Sequence, residues 1–428
     1  MGGRVGERAG GDSTYVEFER AGSGMAGKDS IVIAGGGPVG MVAALGLWRA
    51  GVPVVVLEAH DEPFEDQRAA SLHPPTVEML ASYGLADHII KEGLISPVYQ
   101  FRDRPTGELV TAFDLGDLGD ELPYPYVVQF EQYKLVELIL RLFDEKEGFD
   151  VRFSATVTGF AQADDHVTVY ARGPDGPQIL RASYLIGCDG GRSTVRKSAD
   201  IDFEGFTYPE RFIKIGTYHD FQDGTDFVFR QYFSDPEEWC NLFKVRGKGP
   251  PGIWRGVFPT RVDETDAEAL SPEGVEARMQ RFFPKSETYD IAYCNLYEVH
   301  QRVAATLVKN RVLLAGDSAH VNNPIGGMGL NGGIHDAVNL VAKLVKVWKG
   351  EAGPELLALY DRQRHKAAVD YTQAQTIQNK KLLEERDPVI RAEHLAALRR
   401  TGDDAKQSRA YMRRAALIES LESAAAVT

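Results

Sequence analysis

Residues 30–58 read SIVIAGGGPVGMVAALGLWRAGVPVVVLE. A short β-run, Ile31–Ala34, closes on Gly35-x-Gly37-x-x-Gly40, and apolar residues then follow at helical spacing through Met41, Ala44, Leu45 and Leu47. A second β-run, Val54–Leu57, ends in Glu58. Strand, glycine turn, helix, strand and terminal acid within about thirty residues form the dinucleotide-binding fingerprint. Gly35 serves the tight turn, Gly37 lets a pyrophosphate approach the backbone, and Gly40 lets helix and strand pack closely. Glu58 is placed to accept hydrogen bonds from an adenosine ribose. The fingerprint alone does not separate a flavin from a nicotinamide dinucleotide.

Two further stretches repeat the arrangement of an acid at the carboxyl end of a strand. Tyr184–Cys188 reads as a buried strand followed by Asp189-Gly190-Gly191 and, further on, Arg196, with Cys188 a small buried residue of that strand. Val312–Ala315 precedes Gly316-Asp317, a loop dense in glycine (Gly326, Gly327, Gly329, Gly332, Gly333) and a helical pattern through Ala337, Leu340, Val341 and Leu344. Small residues admit a ligand to the backbone, and helix N-terminal N–H groups favour anionic or electron-rich atoms.

The bulk properties narrow the setting. The 428 residues suit two or three domains, or one enzyme of interleaved subdomains. A formal charge of −14 argues against a broad nucleic-acid or anionic-membrane surface. Cys188, Cys240 and Cys294 show no metal-ligand spacing and no disulfide framework, so a reducing cytoplasm is the expected compartment and no metal is expected. No apolar run reaches the roughly 18 residues of a membrane span. Residues 1–28 are Gly-rich, mixed in charge and lack a signal-peptide core, which predicts a disordered tail, with Met25 an alternative start.

Between the motifs, Pro74-Pro75 opens a helix ending near Gly84, and a helix runs from about Gln129 to Phe143. Residues 150–172 alternate and predict antiparallel strands around Asp164-Asp165. From Phe206 to Glu298 aromatic-rich β-runs at 211–218, 227–233, 239–245, 253–258 and 289–298 predict an antiparallel sheet, interrupted by one helical pattern at 272–283. From Pro354 the chain is largely helical and charged; these helices suit packing on the body or supporting a homodimer, and the sequence does not choose.

With three motifs standing in order, residues 29–345 resemble the single-component FAD-dependent aromatic hydroxylases, the 4-hydroxybenzoate hydroxylase-like flavoprotein monooxygenases. The piece Phe203–Phe212 (FEGFTYPERF) is most similar to the phenol and 3-hydroxyphenylpropionate hydroxylase branch, although a large thioredoxin-like C-terminal extension is lacking. The resemblance implies an α/β fold: a Rossmann-like FAD-binding domain (29–99, 126–205, 299–345) interleaved with a substrate domain on an antiparallel sheet (100–125, 206–298), plus C-terminal helices (346–428). It implies that Gly35, Gly37 and Gly40 cradle the pyrophosphate and that Arg68 and Gln129 contact the phosphate–ribityl region. Asp189 would serve both FAD and NAD(P)H, and Asp317 the ribityl or pyrophosphate side. Pro324 and residues 326–331 would border the isoalloxazine, with Gly329 and the N–H groups of Leu330 and Asn331 near its electron-accepting edge. Arg196 and His320 are read as structural.

The chemistry so implied is reduction of FAD by NADH or NADPH, capture of O₂ as a flavin C4a-hydroperoxide, and oxygen transfer to a phenolic or related ring. Only one GxGxxG occurs, so the nicotinamide is expected to dock transiently. The catalytic candidates are His219, Tyr232 and Pro324, and the substrate candidates are Tyr218, Arg230 and Arg255, most of them on predicted strands of the substrate sheet. Competing readings are an FAD-dependent reductase or halogenase on the same fold, and a non-catalytic FAD-binding protein. The halogenase lacks its Trp-x-Trp-x-Ile-Pro segment here.

Overall fold

Strands Ile31–Ala34 and Val54–Leu57 are apolar at every position because both faces of their sheet are covered. In the computed structural model, which describes residues 30–65, 67–144 and 146–428, they lie in a six-stranded sheet. The order runs Val308–Lys309, Val312–Leu314, Tyr184–Gly187, Ile31–Ala34, Val54–Leu57, Phe149–Arg152, parallel except for the first pair. Each fully buried Val, Ile or Leu there contributes about 1.5–3 kcal/mol. Chain order reverses across Ile31–Ala34, so the crevice beyond its carboxyl end is a ligand position of the doubly wound type. Helix Pro38–Arg49 starts there with proline in its first turn. The tail expected over 1–28, with Met25, lies outside the described residues.

The alternating stretch 150–172 divides differently from the expectation. Phe149–Arg152 pairs in parallel with Val54–Leu57, and the chain bends at Ser154, φ +53°, before the antiparallel strands Thr156–Gln162, Val167–Gly173 and Gly176–Ala182 begin. Alternation marks a strand with one wetter face and cannot by itself name its neighbour.

The second large sheet has eight strands, in the order His320–Val321, Ile291–Ala304, Phe203–Thr217, Ile253–Pro259, Cys240–Val245, Arg230–Ser234, Val98–Asp103, Leu109–Asp114. Strands 203–217 and 291–304 belong to it whole, so borders near 205 and 299 cut through continuous ladders. One face packs Phe221, Trp254 and Phe258 against Met279 and Phe282 of helix Pro272–Phe282. A five-residue helix, Asp266–Leu270, precedes that one behind a Thr265–Glu268 capping box. Its length hides it from periodicity.

The other face meets the C-terminal helices Pro388–Asp403, Ala405–Ala415 and Ile418–Ala425. Leu398, Met412 and Ala416 share a core with Phe113, Phe212 and Tyr232, so these helices pack on the body of their own chain. Among the described residues no helix is long and apolar enough to cross a membrane.

Candidate active site

Gly35 has φ +101°, and a Cβ there would stand 2.4 Å from the Cys188 carbonyl oxygen. A Cβ on Gly40 would stand 2.0 Å from the Gly35 carbonyl oxygen, whereas one on Gly37 would meet no protein atom within 4 Å. The first and third glycines thus make the turn, and the second faces open space. Glu58 Oε2 accepts from Gly36 N–H at 2.6 Å and Oε1 from His60 N–H at 2.9 Å. Those bonds aim the carboxylate and leave lone pairs for hydroxyl donors.

Asp189 caps the short helix Thr194–Ser198, accepting from Ser193 Oγ at 2.5 Å, Thr194 N–H at 2.7 Å and Val195 N–H at 3.0 Å. Arg196 donates to the Ser318 and Gly191 carbonyls at 2.8 and 2.9 Å and stacks on Phe203, tying the second motif to the third. Asp317 lines a cavity with Arg68, whose Nη1 is 3.6 Å from Asp317 Oδ2.

Behind them Asp336 is fully buried. It accepts from His320 Nε2 at 2.7 Å, Arg364 Nε at 2.6 Å and Gly316 N–H at 3.1 Å. Burial alone would raise its carboxyl pKa, but His320 and Arg364 outweigh burial and bring it from 3.8 to about 2. His320 is therefore a strut under the Gly316-Asp317 turn.

Helix Met328–Trp348 begins after Gly327, φ +69°, and its first-turn N–H groups have no intrahelical acceptor. Gly329 and Leu330 line the cavity; Asn331 does not. The Asn331 side chain accepts from His73 N–H at 2.8 Å and donates to the Ser71 and Gly327 carbonyls at 2.8 and 2.6 Å, which pins the loop. A second clamp comes from the helix segment around a π-turn at Ala368–Gln373. Gln373 donates to the Val321 carbonyl at 2.9 Å, Asn323 donates to the Thr376 carbonyl at 2.9 Å, and Asn379 donates to the Ile325 carbonyl at 3.2 Å.

A cavity of about 820 Å³ runs from Gly37, Arg68 and Asp189 past Asp317, Pro324 and Gly329 to Arg230 and Tyr232. At its Gly37 end it shares lining with one of about 400 Å³ between Glu58, Phe64 and Val157. At the other end Arg230, Tyr232, Gly326 and Met328 also border a recess of about 30 Å³ formed with His73, Tyr99, Phe101 and Tyr411.

Three of the expected substrate-side residues do not reach this trough. His219 packs edge-on against Phe221 and Tyr289 on the opposite face of the sheet, two residues beyond the end of its strand at Thr217. Tyr218 is exposed. Arg255 is held over Tyr293 and bonds the Gln67 side chain, and with Lys214 it braces the loop that carries Arg68. Gln129 lies beneath the trough, accepting from Ser71 Oγ at 2.8 Å, while Gln132 lines both large cavities.

Sequence reading missed His73, Gln132, Tyr99, Lys214, Tyr297 and Tyr411. His73 directly precedes Pro74-Pro75, a helix-start signal that drew attention away from the side chain. Tyr411 belongs to no motif, and only packing brings its helix to the recess.

Both His73 and His335 are buried, and burial followed by the charge of a nearby arginine (Arg230 and Arg364 respectively) lowers each from 6.5 to about 3. Between those values the unfolded chain binds protons that the folded one refuses, so stability falls as pH drops from about 6.5 towards about 3. Denaturant melts at pH near neutrality and near 5 should show that loss, and His335→Asn should flatten it; equal midpoints for wild type would contradict it.

The trough fits a flavin dinucleotide on features of its own. Gly37 faces open space, the amide nitrogen of buried Gln129 lacks an acceptor among the described residues, and a helix N-terminus opens on the far end. A family model described as FAD binding domain matches residues 28–375. The chain belongs to this FAD-binding family.

Within it, the chain is 33% identical over 387 residues to a para-nitrophenol 4-monooxygenase of Pseudomonas sp. (strain WBC-3), covering 90% of this chain and 94% of that one. It is 31% identical to a 3-(3-hydroxy-phenyl)propionate/3-hydroxycinnamic acid hydroxylase of Mycolicibacterium smegmatis, covering 80% of this chain but 59% of that longer one. The crystal structure of p-nitrophenol 4-monooxygenase from Pseudomonas putida DLL-E4 superposes with a TM-score of 0.86 at 33% identity, over 92% of this chain and 98% of that one.

Proposed function

We propose that the protein is an FAD-dependent monooxygenase that consumes NADH or NADPH and O₂ to hydroxylate a phenolic ring. The observation that carries this reading is the continuous trough from Glu58 and Gly37 to Leu330, which ends on the aromatic sheet face at Arg230 and Tyr232. Similarity to hydroxylases of phenols supports it. The expected division into FAD-binding, substrate and C-terminal helical parts belongs to the same reading; the two separate large sheets support it, with the borders near 205 and 299 moved so that strands 203–217 and 291–304 stay whole.

Bound FAD would supply hydride acceptance and oxygen activation. Gly37 and the turn around it give backbone room and N–H groups to a pyrophosphate, Glu58 receives ribose hydroxyls, and Gln132 and Arg68 flank the span between them. Asp317 faces the same span. The N–H groups of Gly329 and Leu330 stabilise negative charge at the ring end. Pro324 and Gly326 form the wall between that end and the substrate ring. Arg230 and Tyr232 orient the ring, while Tyr99, Phe101 and Tyr411 exclude water.

Phenols, hydroxybenzoates and hydroxypyridines should be screened for stimulated NAD(P)H oxidation with analysis of products. At least one phenol is expected to stimulate and to be hydroxylated, and no stimulation by any of them would overturn the reading. Asp317→Ala should purify largely free of FAD, as read from the flavin-to-protein absorbance ratio. Full yellow occupancy would remove Asp317 from the site.

A further inference from the structure

The wall between the ring end of the trough and the recess is one tight turn. Gly327 N–H donates to the Pro324 carbonyl at 3.0 Å, and Gly326 stands at φ +104° while Ile325 keeps a negative φ. That combination is a type II turn. Its rival, type I, differs mainly by a half-rotation of the central Ile325–Gly326 peptide, and a glycine at the third position accepts either form. The turn alone therefore does not fix which way that peptide faces. Gly326 borders both the trough and the recess, so the choice sets the shape of the wall.

Asn379 makes the choice. It stands on helix Ala374–Glu384, half-buried at the edge of the recess, and its Nδ2 donates to the Ile325 carbonyl at 3.2 Å. A relay behind it settles the direction of that bond. Arg414 Nε donates to Gln375 Oε1 at 2.8 Å, which leaves Gln375 Nε2 to donate to Asn379 Oδ1 at 2.8 Å. The Asn379 amide accordingly presents its nitrogen to the turn. On the other side, Asn323 Oδ1 accepts from Ile325 N–H at 3.1 Å. Ile325 is thus held at both of its backbone groups.

Building on the function proposed above, we infer that Asn379 is a positioning residue for oxygen transfer. It locks the Pro324–Gly327 turn so that the substrate ring meets the ring end of the trough with water excluded. In the coupled reaction a ring C–H, O₂, NAD(P)H and H⁺ give a ring C–OH, H₂O and NAD(P)⁺. Two of the electrons that reduce O₂ come from the nicotinamide and two from the C–H bond. With the turn unlocked, NAD(P)H, H⁺ and O₂ give NAD(P)⁺ and H₂O₂, and the ring is left unchanged.

The test compares FAD-loaded wild type with Asn379→Leu, which keeps the volume and removes the donor, on a phenol that wild type hydroxylates. The ratio of H₂O₂ formed to nicotinamide consumed is expected to rise about two- to tenfold, with hydroxylated product falling to match. Amide exchange over residues 322–327 should quicken in the FAD-loaded variant, while exchange over 35–40 stays as in wild type. If Asn379→Leu does not fold, Gln375→Leu, which frees the Asn379 amide to turn over, should give the same changes at smaller size. A lowered melting midpoint with an unchanged H₂O₂ ratio per loaded protein would make Asn379 only structural and overturn the inference. Unchanged exchange over 322–327 would overturn it too. Either of those results leaves the monooxygenase reading standing; no hydroxylated product from wild type with any phenol overturns both.

Discussion

Asp336→Ala should cost about 3–5 kcal/mol of stability and release FAD, because it strands a buried guanidinium that now has a buried counter-charge. Arg364 and His320 both converge on this carboxylate, and Gly316 N–H joins them. Removing it loosens the turn that carries Asp317 and the start of the long helix together. Denaturant midpoints and flavin content at neutral pH measure the two effects. Asp336→Asn, which keeps the volume and one acceptor oxygen, should fall between alanine and wild type. Since the folded carboxyl lies at about 2 against 3.8 unfolded, its contribution is complete above pH 4 or so and declines as pH falls towards 2. An unchanged midpoint in the alanine variant would show that the network is not a structural support.

Gly40→Ala and Gly37→Ala should separate folding from cofactor binding. An added Cβ at Gly40 meets the Gly35 carbonyl oxygen, a backbone atom with nowhere to move, at 2.0 Å. That variant should lose thermal stability and FAD together. At Gly37 the backbone is extended at φ −67°, open to any residue, and a Cβ meets nothing. That variant should melt like the wild-type apoprotein while binding FAD about tenfold more weakly, since the methyl enters the space a pyrophosphate needs. Equal FAD affinity for Gly37→Ala and wild type would remove the glycine turn from the cofactor site.

Legibility followed the range of the physical constraint. The glycine turn, Glu58 and the loop from Gly316 were readable because each requirement is local: a positive φ, a close approach, an acid at a strand end. Much of the eight-stranded sheet was readable as a run of aromatic β-segments, but not the edge strand His320–Val321 or the parallel pairing of Arg230–Ser234 with Val98–Asp103. Which face of it meets the trough was not, since that depends on where strand Phe203–Thr217 stops. His219, just past the strand's end at Thr217, packs on the far face while Arg230 and Tyr232 stay on the near one. The recess was the least legible part. Its walls come from residues as far apart as His73 and Tyr411, brought together by packing without any spacing that a single sequence exposes.

The FAD trough is proposed to serve oxygen insertion into a ring. The decisive measurement is turnover under isotopically labelled O₂ with NADH or NADPH and a phenol that stimulates oxidation of the nicotinamide. A hydroxylated product carrying a labelled oxygen atom, in close to equal amount with the nicotinamide consumed, is the expected result. Nicotinamide consumed with an altered product that holds no labelled oxygen would contradict it and assign the trough to a reductase.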